Sequence, residues 1–117
     1  MKILVVDDEE IIRELLVEYL SRKNYQDISL AKDGNQAKEK ILLKSSGIPF
    51  DLVITDTNMP RLGSIELTNW IKNNYPKTYV ILMSALHETK GHRADAFIKK
   101  PFELKKLDTI LDAITPD

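Results

Sequence analysis

The feature that most limits what this chain can fold into is a repeated change of hydrophobic period. Ile3 to Val6 is a continuous apolar run, as expected of a strand covered on both faces. Ile11, Ile12, Leu15, Leu16, Tyr19 and Leu20 then recur at helical spacing and predict a helix with one apolar face. Ile28 to Ala31 reads as a short strand. Asp33-Gly34-Asn35 offers turn and cap chemistry before a helix carrying Ala37, Ile41 and Leu42. Leu52 to Ile54 reads as another buried strand, and Ile65 to Tyr75 as a helix stopped by Pro76. Tyr79 to Met83 is a fourth strand and Ala96 to Ile98 a fifth. A last helix places Leu104, Leu107, Ile110, Leu111 and Ile114 on one face, and Pro116 ends it. Strands and helices alternating at these lengths predict an α/β fold, a parallel sheet with helices on both faces.

One stretch resists the pattern. Between Ser84 and the fifth strand lie only about ten residues, Gly91 among them, so a helix there has roughly two turns at most. With 117 residues and no internal repeat or linker, a single domain spanning 1–117, without an output domain, is expected. A net charge of −1 argues against a general nucleic-acid or anionic-membrane binder. The longest apolar run, Tyr79 to Met83, is far short of the roughly 20 residues of a membrane helix. Acid follows the first apolar run too early for a secretory signal. The absence of cysteine excludes a disulfide scaffold, a thiolate zinc site and cysteine catalysis, and fits a cytoplasmic protein.

Ligands of an open parallel sheet bind beyond the carboxyl ends of its strands. The expected first strand ends in Asp7-Asp8, the third in Asp56, the fourth in Ser84 and the fifth in Lys99-Lys100-Pro101. Each has an ordinary structural explanation alone: a helix cap and first turn for Asp8-Glu9-Glu10, a loop acid for Asp56, a strand-end hydroxyl for Ser84, a solvated Lys100. Together they are harder to explain so. Two carboxylates about 4 Å apart repel by roughly 4 kcal/mol at an effective dielectric of 20, and three do so pairwise. The cluster needs a cation, a proton or the lysine, and a hard divalent ion such as Mg2+ suits it best. Mg2+ with Lys100 could neutralise a phosphoryl group to which Ser84 donates a hydrogen bond, and a carboxylate held there can attack phosphorus. The residues therefore point to a metal-assisted phosphoryl site with an aspartate as acceptor.

Ile3-Leu4-Val5-Val6-Asp7-Asp8-Glu9, Asp51-Leu52-Val53-Ile54-Thr55-Asp56, Asn58-Met59-Pro60, Leu82-Met83-Ser84-Ala85 and Phe97-Ile98-Lys99-Lys100-Pro101-Phe102 occur in the order found in one family. The chain resembles a response regulator receiver domain, the CheY-like family of two-component signalling. The resemblance implies a doubly wound, flavodoxin-like sheet of strand order 2-1-3-4-5. It implies Asp56 as phosphoacceptor from a histidine kinase or histidine phosphotransfer protein. It also implies Mg2+ bound by Asp8, Asp56 and the backbone carbonyl of Asn58, with Asp7 acting mainly through water. Lys100 would contact the phosphoryl group, and Ser84 and Phe97 would be the switch pair acting on a downstream protein target. An enzyme is not expected beyond self-phosphotransfer and slow autodephosphorylation.

Several residues depart from the family pattern. Gly63-Ser64 stands where Asp-Gly is common, so the turn before the third helix is expected to differ. Phe97 lacks the hydroxyl of the tyrosine often found there. Leu86 puts an apolar side chain near the path of hydrolytic water and predicts slow autodephosphorylation. The short 85–95 stretch predicts a shortened or missing fourth helix and a mobile loop carrying His87, Lys90, His92 and Arg93. Lys99, Lys100, Lys105 and Lys106 form a basic patch, and Trp70 is expected to pack in part. Two other functions compete: an aspartate-nucleophile phosphatase of the haloacid dehalogenase type, disfavoured by Asn58 where its second Asp would stand, and a pseudo-receiver working as a phosphorylation-independent interaction module.

Overall fold

The computed structural model describes residues 1–43, 49–56, 63–84, 93–99 and 104–114. They form strands β1 (Lys2–Val6), β2 (Asp27–Ala31), β3 (Leu52–Asp56), β4 (Tyr79–Ser84) and β5 (Ala96–Lys99). Helices α1 (Glu10–Arg22), α2 (Gly34–Leu43), α3 (Ser64–Asn74) and α4 (Leu104–Ile114) complete the described elements. The strands make one sheet of order β2-β1-β3-β4-β5, and every neighbouring pair is parallel. This is the doubly wound arrangement expected. The helix expected to be short or absent between β4 and β5 falls on 85–92, outside the described residues.

Side chains alternate across a strand, and the two faces of this sheet carry separate cores. Ile3, Val5, Leu52, Ile54, Ile81, Met83 and Ile98 pack with Leu16 and Leu20 of α1 and Leu107 and Leu111 of α4. Leu4, Val6, Val53 and Val80 pack with Ala37 and Ile41 of α2 and Leu67 and Ile71 of α3. The continuous apolar runs of β1, β3 and β4 are thus explained: both faces are covered, and these side chains are buried apart from the half-buried Tyr79 that opens β4.

The helical stripes overstate the buried faces. Ile11 is 76% exposed and Leu15 44%, whereas Leu16 and Leu20 of the same helix are buried. Leu42, expected on the inner face of α2, is 60% exposed. A helix lying flat on a sheet buries a narrower arc than its apolar residues can span, and these three lie at its margin.

Local chemistry sets the helix ends. Asp33 caps α2: its Oδ1 accepts the Gln36 amide at 2.8 Å, while Oε1 of Gln36 accepts the Lys32 amide at 2.8 Å. Asn24, with φ 70°, takes the left-handed position after α1, and the Tyr25 amide returns to the Leu20 carbonyl at 3.1 Å. Tyr75 ends α3 just before Pro76. Trp70 is half-buried against the second core, edge-on to Tyr75 at 5.8 Å, with the Lys38 ammonium 4.8 Å from its ring centre.

Candidate functional site

The β1 run ends at Val6, and the chain turns into α1 through Asp7, Asp8 and Glu9. The Asp7 amide donates to the Ala31 carbonyl at 3.0 Å, extending the pairing with β2 by one residue. Its Oδ1 accepts the Glu9 amide at 2.9 Å, and its carbonyl accepts Nη1 of Arg13 at 2.6 Å. Asp7 is wholly buried, while Asp8 and Glu9 are exposed. Glu9, not Asp8, occupies the cap position of α1, and its side chain makes no capping hydrogen bond to the helix. The capping explanation for Asp8 therefore fails, since the carboxylate that meets a backbone amide in this turn is that of Asp7.

Asp56 is the last residue of β3, pairs in register with Met83 and is 3% exposed. One carboxylate oxygen from each of Asp7, Asp8, Glu9 and Asp56 lies within 4.8 Å of all the others. Two unit charges at that separation repel by roughly 3 kcal/mol at an effective dielectric of 20. A set of hard oxygen donors, two of them buried, fits a small divalent cation with room for water on the exposed side. The three aspartates expected to converge do so. Glu9, read from sequence only as first-turn acid, joins them; the run Asp7-Asp8-Glu9 at a strand end was its signal.

Ser84 closes β4 at 5% exposure and pairs in register with Lys99, the exposed last residue of β5. Phe97 is half-buried in β5, opposite Leu82. Asn58, Lys100 and Leu86 lie outside the described residues, as do His87, Lys90 and His92. Arg93, expected in a mobile loop, is held on α3: its amide donates to Oδ1 of Asn69 at 3.1 Å and its guanidinium to Oδ1 of Asn73. Of the expected basic patch, Lys99, Lys105 and Lys106 are exposed.

A five-stranded parallel sheet of this order with buried acid at its carboxyl rim defines the receiver class, and comparison with known proteins agrees. The family model for the response regulator receiver domain matches residues 3–112. The chain belongs to that family and hence to the signalling domains of two-component systems. A response regulator of Streptococcus pneumoniae is 34% identical over 89% of this chain, which spans 48% of that relative's length. The chemotaxis protein CheY1 of Helicobacter pylori is 29% identical, with 97% of this chain and 96% of that protein covered. The response regulator TrrA of Thermotoga maritima, solved in complex with Mg2+-BeF, superposes with a TM-score of 0.84 at 32% identity, covering 98% of this chain and 100% of that one. Among the described residues, no helix is long and apolar enough to cross a membrane.

Proposed function

We propose that this chain is a phosphorylatable signalling switch whose acceptor is Asp56. The observation that carries the reading is the placement of that nearly buried carboxylate within 4.8 Å of those of Asp7, Asp8 and Glu9. An acid buried among acids is costly unless a cation or a covalent change relieves it. Mg2+ fits the donor set and would be held by Asp7, Asp8, Asp56 and the carbonyl of Asn58. It would supply charge neutralisation on the incoming phosphoryl oxygens. The cation bound in the Thermotoga relative supports this choice.

In the transfer, a carboxylate oxygen of Asp56 forms a bond to phosphorus as the phosphorus–nitrogen bond of a donor phosphohistidine breaks. The histidine leaves with the bonding pair, and the product is an aspartyl phosphate. The donor is a histidine kinase or a histidine phosphotransfer protein in the cytoplasm. Lys100 contacts the phosphoryl group, and the hydroxyl of Ser84 hydrogen-bonds to it. Closing Ser84 and Phe97 around the modified Asp56 biases a two-state equilibrium that a downstream protein reads. No direct role with nucleic acid is proposed.

Intact mass after incubation with Mg2+ and a small-molecule phosphodonor tests the reading, run beside Asp56→Ala. A single phosphoryl adduct, absent in the variant and absent without Mg2+, is expected. Adduct formation in Asp56→Ala at the wild-type level would overturn the site. No adduct in a folded wild-type chain would leave an interaction module that works without phosphorylation. Lys100→Ala is expected to take up the group yet lose the response of Phe97.

A further inference from the structure

The hydrogen bond from Arg13 to the Asp7 carbonyl has no part in the site as proposed so far. We propose that Arg13 is a positioning residue for the acidic site, bracing the turn that presents Asp7 and Asp8 toward Asp56. The inference rests on the metal reading given above.

The turn is held from both sides. β2 takes the Asp7 amide through the Ala31 carbonyl, and α1 takes the Asp7 carbonyl through Nη1 of Arg13 at 2.6 Å. The second bond is charge-assisted and short. Arg13 is itself fixed, because its own amide donates to the Glu9 carbonyl at 3.1 Å in the first turn of α1. Helix, guanidinium and carbonyl thus close a ring around Asp8 and Glu9, the two exposed members of the acid set. Mutual repulsion drives those two outward when no cation is bound, and the brace limits how far the backbone can follow.

Two consequences of removing Arg13 oppose each other, so the sign of the result is informative. Loss of a positive charge near the acids strengthens binding of a cation. Loss of the brace weakens it, because the carboxylates must be regathered. If positioning dominates, Arg13→Ala raises the Kd for Mg2+ about tenfold, the low end of what outer-shell partners of metal ligands usually contribute. Arg13→Lys, which keeps a charged donor, restores most of the affinity. Arg13→Met, which keeps the aliphatic stem without a donor, behaves like Arg13→Ala and serves if the alanine variant folds poorly.

The measurement is calorimetric titration of the intact chain with Mg2+ alone, beside the amide proton shift of Glu9, which reports its bond to Asp7. An unchanged or lower Kd in both Arg13→Ala and Arg13→Met, with wild type binding Mg2+, overturns the positioning role and leaves the metal site standing. Failure of the wild-type chain to bind Mg2+ overturns both. A raised Kd with lysine rescue and an upfield shift at Glu9 establishes the brace.

Discussion

The ammonium of Lys72 in α3 lies 2.9 Å from Oδ2 of Asp95, the residue that leads into β5. The same ammonium donates to the carbonyls of Pro76 at 3.0 Å and Thr78 at 2.9 Å. The same carboxylate oxygen accepts the Val80 amide at 2.8 Å. Four segments, the end of α3, its following turn, the start of β4 and the approach to β5, therefore meet at one ion pair. Both side chains are mostly covered, at 12% and 29% exposure, so the pair is worth more than a surface one. Lys72→Met is expected to lower unfolding free energy by about 2 kcal/mol, read from urea denaturation. A loss within error of zero would mean the pair adds nothing.

Tyr79 provides a pH test of the same corner. Burial, and secondly the negative charge of Asp95, hold its phenol above the ordinary value of 10.0. The folded state therefore binds that proton more tightly than the unfolded chain. The associated stability is fully present below pH 10 and is lost as pH rises through the folded-state value. Between about pH 9 and about pH 11, wild type should lose stability more steeply than Tyr79→Phe. Parallel urea midpoints for the two proteins would count against the assignment.

Gly63, the cap residue of α3, has φ −68° and ψ 156°, an extended conformation open to any residue. A Cβ built there meets nothing within 4 Å. No side chain caps this helix at that position. Gly63→Ser should therefore raise stability by a few tenths of a kcal/mol, about 0.5 at most, through a new cap and a less flexible unfolded chain. Thermal unfolding of the purified variant is sensitive enough to detect a decrease instead.

The acid set makes its own prediction. With chelator present, Asp8→Asn removes one of four clustered charges and should raise stability by about 1 kcal/mol, after allowance for the solvent around Asp8. Added Mg2+ should then stabilise the variant less than wild type, and salt should shrink the difference between them. A variant less stable than wild type in chelator would show that repulsion is not the governing force.

Much of the fold and of the acidic site is legible in the sequence. The runs at 3–6, 52–54 and 79–83 stand out because both faces of their strands are covered, and Asp7, Asp8 and Asp56 stand out because strand ends converge in a parallel sheet. Each of these three strands extends one or two residues beyond its apolar run, to Lys2, Asp56 and Ser84, because backbone pairing continues under polar side chains. Arg13 was hidden among the polar positions of α1, where nothing in helical spacing shows a side chain reaching back to the Asp7 carbonyl in the turn after β1. The Lys72–Asp95 pair and the hold of Asn69 and Asn73 on Arg93 join residues 20 or more apart in sequence. Only the packing of α3 beside the approach to β5 brings them together.

The position of β1 has a consequence for synthesis. It is the first strand along the chain, yet it lies between β2 and β3 and pairs on both edges, Ile3 with Ile28 on one side and Leu52 on the other. On the ribosome, the β1–α1–β2 unit can assemble as soon as residue 31 is available. The other edge of β1, with an all-apolar stretch at 3–6, stays open until β3 has emerged. An unpaired apolar edge invites pairing with another chain. The interval between translating β2 and β3 is therefore one in which the nascent protein needs shelter, and changes that slow elongation across 32–51 should cost yield without altering the finished fold.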